Sequence, residues 1–251
     1  MDLSKAVIIA ERANKTIYRL KNHTIKLMDE EYSAYDALNE AMNLAVVHDA
    51  GYRVPVLHEV TKIKNRWAII FDYIEGKPLQ QMMDETPEQT DEYFERFVDI
   101  QIEMHTYTAD RLKYLTDKMH KKISLSGLDA TARYELHTRL DGLPKHKKLC
   151  HGDLTPGNVI ITPSGEAYVI DWSHATQGNA SADAARTYLR YKLAGNDDSA
   201  EKYMDLFCKK SGTPRQYVQK WLAIVASSQL VKNKPEERAL LLKWANIIDF
   251  E

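Results

Sequence analysis

Cysteine is nearly absent from this chain. Cys150 and Cys208 are the 2 cysteines among 251 residues, and they supply neither a disulfide framework nor a C-x-x-C spacing, so both are read as reduced thiols. Long apolar runs are missing too: nothing approaches the roughly 18 residues a membrane-spanning helix needs. The stretch Ala6 to Ala10 is too short for a secretory segment. The expected location is the cytoplasm, with no membrane partner. Charge of one sign is not in excess either, since 34 Lys and Arg face 36 Asp and Glu for a formal net charge of -2. A polyanion-binding surface is therefore not written into the balance, and nucleic acid is not an expected partner. There is no internal repeat and no low-complexity stretch. What remains is 44% hydrophobic and 28% charged, enough apolar material for one large domain or two lobes.

The first 75 residues read as a sheet. Strands are expected over Lys5 to Ala10, Thr16 to Leu20, Thr24 to Met28, Val56 to Ile63 and Trp67 to Ile74, all rich in β-branched or aromatic residues, with turn signals at Lys21-Asn22 and Asn65-Arg66. One helix interrupts them, from Glu31 to Asp49, with Tyr35, Leu38, Met42 and Ala45 spaced by three and four and Gly51 at its end. After Gly76-Lys77-Pro78 the period changes from two to about 3.6. Phe94, Phe97, Ile100, Gln101 and Met104 form one stripe of a helix starting near Pro87. A hairpin, Val159 to Thr162 and Ala167 to Ile170, turns through Pro163-Ser164-Gly165. Helices over Ala182 to Ala194, Ser199 to Ser211, Pro214 to Val231 and Pro235 to Ile248 follow. The outline is a small β-rich lobe, a linker near Ile74 to Pro78, and a larger helical lobe, with a cleft between lobes as the natural ligand site.

The chemistry concentrates in His151-Gly152-Asp153-Leu154-Thr155-Pro156-Gly157-Asn158 and in Val169-Ile170-Asp171-Trp172 after the hairpin. Asp153 and Asn158 lie on a loop that Pro156 and Gly157 allow to fold back. Asp171 ends an apolar strand, where a charge has no packing reason to be. Two carboxylates and an amide oxygen converging on one place suit a hard divalent cation, with one carboxylate left for proton transfer.

On these residues the chain resembles the aminoglycoside phosphotransferase and choline kinase family, the small-molecule branch of the protein-kinase-like fold. The Asp153 to Asn158 spacing is that of the kinase catalytic loop, and His-Gly-Asp is the form common in the small-molecule branch. The resemblance implies an α+β, two-lobe fold, with a small antiparallel-sheet lobe plus one helix over residues 1–75 and a larger, mainly helical lobe over 76–251. It further implies Asp153 as the catalytic base, Asn158 and Asp171 as ligands of Mg²⁺, and ATP (or GTP) as donor. Lys26 in Thr24-Ile25-Lys26-Leu27 matches the lysine on the α- and β-phosphates, Glu40 the acid that positions it, and Asp72 and Ile74 the hinge that meets the adenine edge. His151 and Asp183 are implied as supports of the catalytic loop.

Two departures narrow the substrate. The first turn, Glu11-Arg12-Ala13-Asn14-Lys15, carries no G-x-G-x-x-G, and after Asp171 there is no Ala-Pro-Glu and little room for an activation segment. A protein kinase is thereby disfavoured, and a nucleotide-binding pseudokinase is disfavoured by the intact Asp153, Asn158 and Asp171. The expected function is transfer of a γ-phosphoryl group to a hydroxyl of a small molecule, whether aminoglycoside, choline, sugar or similar. Asp197, Asp198, Glu201, Trp221, Trp244 and Asp249-Phe250-Glu251 are candidate acceptor-lining groups, each with a blander reading as solvated charge or core anchor. The sequence leaves the acceptor and the oligomeric state open.

Overall fold

Period-two alternation builds the first part of the chain. In the computed structural model, which describes residues 3–12 and 14–245, the strands are β1 (Val7–Arg12), β2 (Lys15–Leu20) and β3 (His23–Met28), then, after helix α1 (Ala34–Asp49), β4 (Leu57–Ile63) and β5 (Arg66–Asp72). Short β6 (Lys77–Pro78) and α2 (Leu79–Glu85) lead to α3 (Thr90–Met104), α4 (Leu115–Ser124) and α5 (Ala130–Asp141). Three-residue strands β7 (Lys148–Cys150), β8 (Val159–Ile161), β9 (Ala167–Val169) and β10 (Thr176–Gly178) come next. The rest is helical: α6 (Ala180–Leu193), α7 (Asp197–Ser211), α8 (Arg215–Gln219), α9 (Leu222–Leu230) and α10 (Pro235–Ala245). The expected mix of an antiparallel sheet with a helical C-terminal part is what the chain forms. The end of the last expected helix, to Ile248, and Asp249-Phe250-Glu251 lie outside the described residues.

The chain divides into two compact units, one made of the chain up to Thr90 with Pro156–His174, the other of Asp91–Thr155 with the chain from Ala175 onward. The first unit holds a five-stranded antiparallel sheet in the order β1-β2-β3-β5-β4. Two-residue turns set its register. Lys64 and Asn65 both take positive φ (48° and 65°) between Ile63 and Arg66, the handedness that matches strand twist. One face of the sheet packs Ile25, Leu27, Ala68, Ile70 and Ile63 together. The opposite face turns Lys15, Ile17, Thr24, Lys26 and Ile69 the other way, because residues facing each other across antiparallel strands share a face.

Helix α1 starts at Ser33, whose hydroxyl accepts from the Asp36 amide at 3.1 Å. Its buried residues include Ala37, Glu40, Ala41, Leu44 and Val47. This corrects the stripe read from the sequence: Tyr35, Leu38 and Met42 are exposed. Small Ala37 and Ala41 let the backbone approach the sheet, and the buried Glu40 has a lysine partner there, so the helix puts its less hydrophobic side inward. The hairpin β8-β9 joins β6 in a second small sheet and reverses with Gly165 at φ 84°. Gly76 enters it under compulsion: a Cβ there would lie 2.3 Å from the Ile161 carbonyl oxygen.

The second unit is organised around α9, all nine of whose residues from Leu222 to Leu230 are buried, as expected of a helix apolar all round. α4, α6 and α10 pack on it. The stripe expected on α3 is buried as read, Phe94, Phe97, Ile100, Gln101 and Met104 together. Buried Gln101 is satisfied by the Tyr203 hydroxyl at 2.6 Å. The helix expected over Pro214 to Val231 is two helices, because Trp221 donates to Val218 rather than one residue further back and this tightened turn breaks the ladder. No helix among the described residues is long and apolar enough to cross a membrane.

Candidate active site

Glu40 rises from α1 toward the β3 face that carries Lys26, and the two form a buried ion pair. Asp171 reaches the same lysine. It follows β9 at the start of the turn Trp172–His174, and its φ of 67° is one that aspartate tolerates better than most side chains. Its Oδ1 accepts from Lys26 Nζ at 2.8 Å and its Oδ2 from Lys15 Nζ at 3.0 Å. Burial works against the charge on Lys26, but Glu40 and Asp171 outweigh it and hold the ammonium above its ordinary value. Burial works against the Asp171 carboxylate as well, and Lys26 and Lys15 overcome it, so this carboxyl sits well below the usual range. Lys15 is lowered, by burial and then by repulsion from Lys26. Two cations and two carboxylates thus meet at the first unit's sheet.

These groups open on a cavity of about 240 Å³, lined by Ile17, Lys26, Phe71, Ile74, Asn158 and Asp171 among others. Asn158 is set beside Asp171 by the backbone, since its carbonyl accepts from the Ile170 amide at 2.9 Å. Asp72 also lines the cavity. Its carboxylate fixes the chain after β5 by accepting from the Val56 amide at 3.2 Å, with His58 Nε2 at 2.6 Å, and its carbonyl lies 3.4 Å from the Thr24 hydroxyl. Lys26, Glu40, Asp72, Ile74, Asn158 and Asp171 are therefore all in one unit. The donor types fit Mg²⁺: Asn158 and Asp171, an amide and a carboxylate held ionised, line the same cavity.

His151, Asp153 and Asp183 belong to the second unit. Gly152, at φ 81°, makes the turn that a side chain would strain. The buried carboxylate of Asp183 accepts the amides of His151 at 3.1 Å and Gly152 at 2.6 Å, and lies 3.1 Å from His105 Nε2. Burial would raise its pKa, yet His105, His151 and the Gly152 amide hold it below the ordinary value. His151 Nδ1 accepts the Asp153 amide at 3.2 Å, so the residues around Asp153 are fixed from two sides. Asp153 itself accepts from Arg186 Nη2 at 3.2 Å, and Arg190 Nε lies 3.6 Å away. His105, Cys150 and Asp183 have the mutual spacing of a metal site. Burial pushes the Cys150 thiol well up, however, and the Asp183 oxygens are already in use, so the trio is a brace.

The sequence profile of the phosphotransferase enzyme family matches residues 8–217. The chain belongs to this family. As a member it is a phosphotransferase of the small-molecule kinase kind. Solved structures share the fold at low identity. Choline kinase LicA from Streptococcus pneumoniae is 18% identical over 93% of this chain and 86% of its own, with a TM-score of 0.61. Aminoglycoside phosphotransferase APH(4)-Ia, as a thermostable mutant with AMP-PNP and hygromycin B, is 14% identical over 96% and 90%, with a TM-score of 0.68. Aminoglycoside-3'-phosphotransferase of type VIII is 15% identical over 89% and 93%, with a TM-score of 0.61. No curated protein sequence matches the chain.

Sequence reading of this phosphotransferase missed three site groups. Lys15 was legible from strand parity: Ile17 pairs with Lys26, and two residues back along β2 is the same face. Asn43, one turn after Glu40 on the buried side of α1, donates to the Trp172 carbonyl at 3.0 Å and so steadies the turn that carries Asp171. Arg186, three residues after Asp183, reads in sequence as an ordinary helix-surface charge, and only the packing of α6 buries it.

Proposed function

We propose that this phosphotransferase moves the γ-phosphoryl group of ATP (or GTP) to a hydroxyl of a small molecule. The observation that carries the reading is the buried Lys26 between Glu40 and Asp171 at the wall of a cavity also lined by Asn158. A lysine desolvated between two carboxylates is costly to maintain and is what a polyphosphate site requires. The nucleotides recorded with fold relatives, AMP with LicA and AMP-PNP with APH(4)-Ia, support an adenine nucleotide as donor.

In this reading Asp72 and Ile74 meet the base edge, and Lys26, aimed by Glu40, holds the α- and β-phosphates, with Lys15 beside it. Asn158 and Asp171 would hold Mg²⁺, which supplies charge neutralisation on the phosphates when bound. Asp153 accepts the proton of the acceptor hydroxyl. As that oxygen bonds to the γ-phosphorus, the bond from phosphorus to the bridging oxygen breaks and the nucleoside diphosphate leaves with the electron pair. Arg186 and Arg190 hold the Asp153 carboxylate, and the Asp183 brace fixes the loop behind it. Most of the acceleration comes from positioning and electrostatics.

The test is mass spectrometry after incubation with Mg-ATP, a metabolite extract and a panel of aminoglycosides and amino alcohols, for the wild type and Asp153→Asn. A phosphate adduct made by the wild type alone is expected, with turnover in the variant down by roughly 10²–10⁴ and nucleotide binding retained. Nucleotide binding without any adduct would instead favour a binding module.

A further inference from the structure

Helices α4 and α5 carry four polar side chains that the phosphotransfer reading leaves unused. His120 and Ser124 are one turn apart on α4, and His137 and Asp141 are one turn apart on α5, so each pair shares a helix face. The helices pack on each other within the second unit, and the two faces meet. His120 Nδ1 lies 2.7 Å from His137 Nδ1, and the half-buried rings stack with centroids 5.0 Å apart and 17° between their planes. The outer nitrogen of each ring has a partner too. Asp141 Oδ1 lies 3.1 Å from His120 Nε2, and Ser124 Oγ lies 3.2 Å from His137 Nε2.

The outer partners decide what the inner nitrogens carry. An ionised carboxylate only accepts, so His120 Nε2 donates to Asp141 and the neutral ring presents a lone pair at Nδ1. That lone pair points at His137 Nδ1. With the hydrogen of His137 on Nδ1, the two rings hydrogen-bond and Ser124 donates to His137 Nε2. A serine hydroxyl accepts as readily as it donates, so His137 can exchange that hydrogen through solvent for one on Nε2 and give it to Ser124. Both Nδ1 atoms then turn lone pairs toward one point, a place that a cation fills. A carboxylate or other acceptor behind each imidazole is the arrangement that fixes tautomer and ring direction at a metal. Two nitrogens that share a tetrahedral zinc ion at 2.0–2.1 Å are about 3.3 Å apart, so the rings need to separate by only about 0.6 Å from their present spacing.

We infer that His120 and His137 form a site for a transition-metal ion of the zinc, copper and nickel class, a clip between α4 and α5 in which Asp141 and Ser124 orient the two rings. Imidazole nitrogens select this class over Mg²⁺ and Ca²⁺, which take oxygen ligands. Water completes the coordination on the open side. α4 packs on the buried α9, so the clip secures α5 to the core of its unit, and an ion that binds the folded chain stabilises it by mass action. The site is independent of the roles assigned to Asp153, Asn158 and Asp171.

The test is calorimetric titration of the full chain with zinc chloride and with nickel chloride, after treatment with a chelator and in excess Mg²⁺ so that sites of oxygen ligands are filled. Wild type is compared with His120→Gln, His137→Gln, Asp141→Asn and the control His146→Gln, an exposed histidine outside both helices. Saturable binding by the wild type and the control is expected. His120→Gln and His137→Gln should each weaken it at least ten-fold. Asp141→Asn should weaken it about ten-fold, the lower end of the range for an orienting carboxylate, because Asp141 is 63% exposed. Melting curves give a second readout: Tm of the wild type and the control should climb with metal concentration, and Tm of the two histidine variants should not. Nickel should also broaden the ring-proton resonances of His120 and His137 ahead of those of the other histidines. Absence of saturable binding by the wild type, equal weakening in His146→Gln and His137→Gln, or a wild-type Tm that added metal leaves unchanged overturns the site and leaves the two rings as a hydrogen-bonded clasp. Full-strength binding in Asp141→Asn overturns the orienting role of that carboxylate.

Discussion

The two compact units hold their carboxylates in different ways. In the first, Lys15 and Lys26 face Asp171 and Glu40 in a balanced cluster, two against two, and every carboxylate of the group touches an ammonium. In the second, Asp153 is gripped by the guanidiniums of Arg186 and Arg190, while Asp183 serves the loop amides and His105. Flexible ammonium groups that share carboxylates can exchange them for a ligand that arrives with its own counter-ion, as a metal nucleotide does. Planar guanidiniums fix a carboxylate in place. The difference teaches that one chain can hold one carboxylate ready to change partners and another ready to stay still.

Breaking the balanced side should have the largest effect. Lys26→Met leaves Glu40 and Asp171 buried without their shared cation, and kcat/KM for the nucleotide should fall by roughly 10²–10³, as loss of a buried charge partner implies. Steady-state kinetics at varied Mg-ATP would show it. An effect under three-fold would mean the pair is only a structural bridge.

The next effect is on the brace. Asp183→Asn should cost about 3 kcal/mol and lower Tm by roughly 5–10 °C, with activity falling because one of the two oxygens that accept the His151 and Gly152 amides becomes an NH2 donor. The sign with pH follows from the depressed carboxyl. Its stabilisation is complete above the unfolded carboxylate pKa of about 3.9 and is lost as pH drops through the lower folded value. Melting curves of wild type and variant should therefore be furthest apart at neutral pH and converge in acid. A constant gap would show that shape, and not charge, carries the brace.

Much of the candidate site was legible from strings of residues, because its parts are fixed by short-range rules. Asp153 and Asn158 sit in one loop, Lys26 and Ile17 share a strand face, and Asp171 ends an apolar strand. What escaped depends on packing between distant segments. α1 turns Ala37 and Ala41 inward in place of Tyr35 and Leu38 because the sheet it meets is close, and no periodicity announces that. Arg186 is an ordinary helical charge in sequence until the packing of α6 brings it to the Asp153 carboxylate. The split at Trp221 had no Gly or Pro to mark it. Similarity to a family implied roles for Asp153 and Asp171 that composition could not, and it is silent on the arginines that grip Asp153.

The division of labour between the two charge clusters is tested most directly by calorimetry of Mg-ATP binding to the wild type, Asp171→Ala and Asp153→Asn under identical conditions. Asp171→Ala should lose the Mg²⁺-dependent part of the affinity, a weakening of at least about ten-fold or 1.4 kcal/mol, while Asp153→Asn should bind within about three-fold of the wild type, or about 0.7 kcal/mol, and yet turn over roughly 10²–10⁴ more slowly. Equal loss of binding in both variants, or unchanged Mg²⁺-dependent binding in Asp171→Ala, would contradict the assignment of the nucleotide to the balanced cluster.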